Sequence, residues 1–394
     1  MPKYDDFAKL RAFHQDYLLN SVVPFWMNHA IDRQHGGLFT CIRDDGTLIS
    51  TDKYMWSQLR GIWTFSALLN RIEKRPEWLE VARATVEFAL AHGRDDEGRW
   101  VFHTDQAGRV LEGATSIYAD GFAIYGLTEY ARATGEKRAI DAAAQTARSV
   151  RQRLAVPGSY LTAPYVIPEG AKTHGIAMIF SLVFDELGAL LGDDELRQAG
   201  YDLACEVMDH FRRPAEKLLF EYVKLDGSPL DIPEGRVVVP GHGIESMWFM
   251  MHIFRARGEA ERISQAVETI RWHIERGWDP DYGGIRLAID SLGGTPAWPQ
   301  WDKKPWWPHT EALYALLLAY EHSRQPWCLQ WYEKVHDWAW EHYADKEHGE
   351  WTQRLTREGK KTDELIALPV KDPFHLPRAL IYSIDVLGRL VEGQ

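Results

Sequence analysis

Asp279-Pro280-Asp281-Tyr282-Gly283-Gly284, followed by Ile285-Arg286-Leu287, decides the fold, because altered copies of it punctuate the chain. Asp32-Arg33-Gln34-His35-Gly36-Gly37 precedes Leu38-Phe39-Thr40-Cys41-Ile42, and Arg94-Asp95-Asp96-Glu97-Gly98 precedes Trp100-Val101-Phe102. Asp345-Lys346-Glu347-His348-Gly349 precedes Trp351-Thr352-Gln353-Arg354-Leu355. A weak break falls at Val156-Pro157-Gly158, and another break at Leu225-Asp226-Gly227. The spacing is roughly 60 residues, which makes about six units. Asp and Gly supply the turn, and the apolar run after four of the breaks reads as a short strand.

Between the breaks the apolar period is helical. Trp63, Ala67, Leu68, Arg71 and Ile72 share one face, as do Ile117, Ala123, Ile124 and Leu127, and again Ala312, Leu313, Leu316, Leu317 and Tyr320. Each unit has room for two helices of ordinary length. Six two-helix units closed in a ring predict an all-α (α/α)6 barrel with short β-hairpins in the connecting loops. No alternating strand–helix pattern points to a doubly wound sheet, and no Pro/Gly/Ser-rich linker divides the chain. The expectation is one domain over 1–394. In such a toroid the inner helices converge on one mouth, so residues distant in sequence share one pocket.

Composition narrows the function classes. The 394 residues are 45% hydrophobic and 26% charged, ordinary globular values. A formal net charge of -12 argues against nucleic acid or an anionic membrane as partner. Cys41, Cys205 and Cys328 are odd in number and widely spaced, which speaks against a disulfide framework or a Cys-type zinc site. The start, Met1-Pro2-Lys3-Tyr4-Asp5-Asp6, lacks the apolar region of a signal peptide, so a soluble, cytoplasmic protein is expected. Tryptophan is the outlier at 17 residues. Most will pack helices, and about one in four is expected to line a pocket.

Four histidines stand in unusual company, at least three of them in the first turn of a helical stretch: His174 in Thr173-His174-Gly175, His242 in Pro240-Gly241-His242-Gly243-Ile244-Glu245, His309 in Trp306-Trp307-Pro308-His309, and His375 in Asp372-Pro373-Phe374-His375-Leu376-Pro377-Arg378. A lone histidine at a helix start is more often a cap than a catalyst. His242 and His375 differ in combining a Gly or Pro break, an aromatic neighbour and a charged partner three residues on. The spacing predicts that Glu245 orients His242, with Arg378 in the same relation to His375. Trp56 and Arg60 lie four apart on one face of an apolar helix, where an arginine needs a carboxylate partner or a substrate oxygen. Four histidines with nearby carboxylates also leave a His-rich metal site open. Phosphate-loop, dinucleotide, HExxH and Gly-x-Ser-x-Gly motifs are absent.

At these residues the chain resembles the N-acylglucosamine 2-epimerase family, whose animal member is also called renin-binding protein. The likeness runs from about Phe25 to Leu387. It is carried by Phe25-Trp26-Met27-Asn28-His29, His35 to Cys41, Lys53-Tyr54-Met55-Trp56 to Arg60, Pro240 to Phe249, Gly277 to Asp281, Trp306 to Ala312, and Phe374 to Arg378. The resemblance implies an (α/α)6 barrel, a homodimer and metal-independent chemistry at sugar C2. It makes His242 and His375 the acid and base and puts Arg60 by the carbonyl. Glu245 and Glu311 become supporting carboxylates, and Trp307 a pocket wall. His174 resembles a third pocket histidine of the cellobiose epimerase and isomerase branches. Trp56 and Arg378 complete the expected substrate-binding set. No cofactor is implied for the chemistry. Some members use a nucleotide, ATP, as activator, for which this chain has no phosphate loop.

The reaction implied is removal of a proton from carbon beside a carbonyl. The sugar ring opens to the C1 aldehyde, a histidine takes the C2 proton, and Arg60 steadies the oxyanion. Return of the proton from the opposite face gives the C2 epimer, with N-acetylglucosamine and N-acetylmannosamine as the leading pair. A mannose 2-epimerase is the close alternative. Return of the proton to C1 gives a ketose, which makes a mannose–fructose type isomerase the other alternative on the same site. A glycoside hydrolase would need two suitably separated carboxylates, which the His/Arg pattern does not suggest. A non-enzymatic binding protein would not need His242, His375 and Arg60 together.

Overall fold

The computed structural model describes residues 4–156 and 158–393. Met1-Pro2-Lys3 and Pro157 of the weak Val156-Pro157-Gly158 break lie outside the described residues. The helical periods become helices in chain order: α1 (Phe7–Tyr17), α2 (Val23–His29), α3 (Met55–Arg71), α4 (Pro76–His92), α5 (Ile117–Thr134), α6 (Lys137–Leu154), α7 (His174–Leu191), α8 (Asp194–Glu206), α9 (Pro240–Arg257), α10 (Ala260–Gly277), α11 (Trp307–Ser323), α12 (Pro326–His342) and α13 (His375–Glu392). A π-helical turn at Leu18–Val22 joins α1 to α2.

Contacts close these helices into the expected (α/α)6 barrel. The inner ring runs α3, α5, α7, α9, α11, α13 and back to α3, each helix packed on the next. Helices α4, α6, α8, α10 and α12 cover the inner helix that precedes each of them. The sixth pair joins the two ends of the chain, because α1 covers α13. The division of labour follows from side-chain pattern. Inner helices such as α7 and α11 are buried nearly all round. Outer helix α6 buries one stripe, Ala139, Ala142, Ala143, Thr146, Ala147 and Val150. Helix α7 is long and apolar enough to cross a membrane by composition alone, but 72% of it is buried inside this ring. Gly192, at φ 66°, lets α7 end in the left-handed conformation and double back into α8.

The punctuating breaks are hydrogen-bonded turns. Asp32, Asp279 and Asp345 each accept two backbone N–H groups through one carboxylate oxygen. Single bridges close the loops at Ile31↔Leu38, Arg94↔Trp100, Trp278↔Ile285 and Ala344↔Trp351. The expected strands are therefore shorter than the sequence suggests. Paired segments lie near the entrance to the inner helices instead: Lys53–Tyr54 with His103–Thr104, Ala171–Thr173 with Tyr222–Lys224, Val237–Val238 with Ile289–Asp290, and Lys304–Pro305 with Arg354–Leu355. Each pairing ties the entry of one inner helix to the loop of the next unit. The turn aspartates add buried ion pairs, Asp32 with Lys53 at 2.8 Å and Asp279 with Lys304 at 3.3 Å. One end of the ring is thus fixed by loop pairing, and the N-termini of the inner helices meet there.

Candidate active site

A deep cavity opens at that end, and all six inner helices contribute from their first two turns: Trp56 and Arg60, Tyr118 and Phe122, Gly175 and Met178, His242 and Glu245, Trp307, and His375. The positive ends of six helix dipoles therefore face one space, which favours negative charge developing there. Four of the 17 tryptophans, Trp56, Trp298, Trp306 and Trp307, line it, close to the expected share.

Two histidine–carboxylate pairs form the polar heart of the cavity. His242 Nδ1 lies 3.0 Å from Glu221 Oε2, and His375 Nδ1 lies 2.7 Å from Glu311 Oε1. An ionised carboxylate accepts only, so each Nδ1 carries the proton and each neutral ring keeps its lone pair on Nε2. Trp307 spans the two, its ring 5.0 Å from that of His242 and 5.8 Å from that of His375.

The surroundings push the two imidazoles apart in charge. Burial works against the charge of His242, but Glu221 and then Glu245 outweigh it and raise its pKa. Burial also opposes charge on Glu221, which His242 and His174 nevertheless hold well below the usual carboxylate range. His375 is pushed down to about 3, by burial first and then by the Arg60 and Arg378 guanidiniums. The opposed shifts suit His242 to donate a proton and His375 to accept one.

The structure brings part of the expected set together on the cavity wall and leaves the rest behind it. Trp56, Arg60, Glu245, Trp307, His242 and His375 all line the cavity. Arg60 has the carboxylate partner its burial demands, Asp372, and is sandwiched by aromatic rings, 4.0 Å over Phe122 and 5.0 Å over Trp56. The predicted pairing of Glu245 with His242 does not form. Glu245 binds Arg378 instead, and Glu221 holds His242. Arg378 and Glu311 lie behind the wall rather than on it. The Arg378 guanidinium bridges Glu245 and Glu311, and Glu311 also accepts from Trp248 Nε1 at 2.8 Å. His174 is fully buried beside Glu221, with Nε2 on Ser246 Oγ and Nδ1 3.8 Å from Glu221, so it supports the wall and does not form it. His309 is structural: its Nε2 accepts the Ile285 N–H at 2.8 Å, and its ring stacks on Trp338.

Two clusters bring metal-ligating atoms within 4.8 Å of one another, His174–Glu221–His242 and Glu245–Glu311–His375. In the second, Arg378 already sits among the carboxylates, where a dication would meet its charge. In the first, Glu221 already accepts from His242 and, at 3.3 Å, from Thr173 Oγ1. Both are hydrogen-bonded supports for a histidine as they stand.

Sequence reasoning missed Glu221 and Asp372. The signal for Glu221 was a lone carboxylate inside the apolar run Leu218-Leu219-Phe220-Glu221-Tyr222-Val223, which must be paired if the run is buried. Asp372 stood in the His375 motif, but its partner lies 312 positions away on α3.

Comparison with known proteins shows the family and the fold. The family model for N-acylglucosamine 2-epimerase (GlcNAc 2-epimerase) matches residues 37–379. The N-acylglucosamine 2-epimerase of Mus musculus is 32% identical over 393 residues, covering 95% of this chain and 91% of the mouse protein. Among solved structures, the cellobiose 2-epimerase from Bacillus thermoamylovorans superposes with a TM-score of 0.84 at 21% identity, covering 96% of this chain and 99% of that one. A D-mannose isomerase superposes with a TM-score of 0.78 at 16% identity over the full length of both chains. These two structures share the barrel.

Proposed function

This chain belongs to the N-acylglucosamine 2-epimerase family, and from that premise we propose that it interconverts N-acetylmannosamine and N-acetylglucosamine by moving one proton at C2. The observation that carries the mechanism is the pair of carboxylate-anchored histidines with opposite pKa shifts in one cavity. His375, neutral, takes the C2 proton of the open-chain sugar. Negative charge passes to O1, making an enolate (an enediolate where C2 bears a hydroxyl). Arg60 and the surrounding helix N-termini oppose that charge. His242, protonated on Nε2 as well as Nδ1, returns a proton to C2 from the other face. In the reverse direction the two exchange roles.

Trp307 supports both rings and presents a flat surface to the sugar. Arg378 and His174 act from behind, by fixing the carboxylates that orient the two histidines. An aldose–ketose isomerase, the alternative read from sequence, is left with the barrel likeness to D-mannose isomerase. Cytoplasmic location, homodimer assembly and activation by ATP belong to the same proposal, resting on composition and family resemblance. Proton NMR in D2O tests it. With N-acetylmannosamine, the C2 epimer should appear carrying deuterium at C2. A ketose, or an epimer that keeps its original C2 hydrogen, would overturn the mechanism.

A further inference from the structure

On the His242 side, the cavity wall is a small apolar cluster separate from the main core, built around Tyr222, Val239, Leu287 and Trp298 and packed against Trp307. Tyr165 joins it, its ring stacked 4.9 Å from Trp298. The residues come from the loops entering α7, α9 and α11, so the wall is assembled from three units.

Proton transfer needs nothing from this cluster. Its place is informative all the same. Tyr222 follows Glu221, the partner of His242, and Val239 stands at the entry of the helix that bears His242. Trp307 touches both histidine rings. With C2 held between those histidines for proton transfer, a substituent on C2 is directed to the wall that Trp307 shares with both rings.

The chemistry of the wall is selective. A bare hydroxyl pressed on Val239, Leu287 and Trp298 loses water and gains little. A methyl group is welcome there, and a carbonyl oxygen beside it needs a donor. The hydroxyls of Tyr165 and Tyr222 make no hydrogen bond among the described residues, although both tyrosines line the cavity. Burial, then the charge of Glu221, pushes the Tyr165 phenol up to about 12, so it stays protonated and able to donate. Tyr222 is held in place by strand pairing with Thr173.

We infer that this wall seats an acylamino group on C2, with the acyl methyl against Val239, Leu287 and Trp298 and the acyl oxygen on the hydroxyls of Tyr165 and Tyr222. The inference rests on the sugar 2-epimerase reading and makes these residues the determinants of N-acylated over free aldoses.

The test compares kcat/KM for N-acetylmannosamine and for mannose in wild type, Tyr165→Phe, Tyr222→Phe and the double variant. Wild type should favour N-acetylmannosamine by about 100-fold or more, in line with a site that hydrogen-bonds a distinguishing group. The double variant should lose about tenfold of that ratio. Because the readout is a ratio on one preparation, partial unfolding does not mimic it. Should the double variant fail to fold, Tyr165→Phe, a change at a part-exposed position, carries the same test. A ratio unchanged within twofold overturns the inference, as does a wild type that takes mannose equally well. Epimerisation of free aldoses without N-acyl ones would overturn it and leave the epimerase reading standing. No C2 exchange with any aldose would overturn both.

Discussion

His242 and His375 have the same side chain, the same Nδ1–carboxylate anchor and contact with the same tryptophan, yet their environments move their pKa values in opposite directions. Around His242 the ionisable neighbours that act on it, Glu221 and Glu245, are anionic. Around His375 burial comes first, and the guanidiniums of Arg60 and Arg378 add to it against the carboxylates. A carboxylate anchor alone therefore does not determine protonation. Anchoring fixes the tautomer; at His242 the charge of the anchor Glu221, with Glu245, overcomes burial, whereas at His375 burial prevails with the help of Arg60 and Arg378. Glu245 shows how closely the two regions are coupled: it sits on the helix of His242, but its hydrogen bond goes to Arg378 beside His375.

The largest effect should come from removing either ring. His242→Asn and His375→Asn should each lower kcat for epimerisation by about 10³-fold or more, the scale of a general acid–base group with no substitute nearby. Coupled assay of product formation measures this, and retention of a tenth of wild-type activity by either variant would break the pairing.

A smaller effect separates the anchors. Glu221→Gln removes the charge that keeps His242 protonated, so burial lowers its pKa. The alkaline limb of the pH–rate profile should move to lower pH, with kcat/KM at pH 8 down by about 10- to 100-fold. Glu311→Gln should leave that limb in place, because His375 is already neutral. It strips Arg378 of one buried carboxylate, so its main cost is stability, about 3 kcal/mol by denaturant titration. Equal limb shifts in both variants would erase the distinction.

The smallest effect is on stability against pH. An unfolded histidine titrates near 6.5, and folded His375 near 3, so between those values the unfolded chain binds more protons. Stability from this group is present above pH 6.5 and is lost as pH falls. His252, His273 and His309, all lowered by burial, contribute with the same sign. His242, raised in the fold, has the opposite sign: its contribution is present below 6.5 and lost as pH rises through its folded value. Denaturant titration across pH should show a flatter slope below 6.5 for His375→Asn and a more positive slope above 6.5 for His242→Asn, each by up to about one proton. Slopes identical to wild type would contradict the opposed shifts.

How much of this was legible in the sequence depended on distance along the chain. Repeats and helical periods are local, and Asp279-Pro280-Asp281-Tyr282-Gly283-Gly284 and its relatives marked the units of the ring. The strand-like runs came out shorter because the aspartate turns, and not strand ladders, close those loops. Residues facing the cavity from the first turns of inner helices, such as His242, His375 and Arg60, announced themselves through local motifs. Their partners did not. A spacing of three suggested Glu245 for His242, but the ring rotates Glu245 towards Arg378, 133 positions away, and brings Glu221 in from a loop. His174 carried the motif of a pocket residue and ended behind the wall, because the segment carrying Glu221 pairs across its entry.

Isotope exchange by the two single-histidine variants is the most direct test of a cavity with one acid and one base on opposite faces of the sugar. In D2O, His242→Asn should exchange the C2 hydrogen of one epimer without forming the other, and His375→Asn should do the same only for the opposite epimer. A variant that exchanges both epimers, or two variants that act on the same one, would mean that a single base serves both faces.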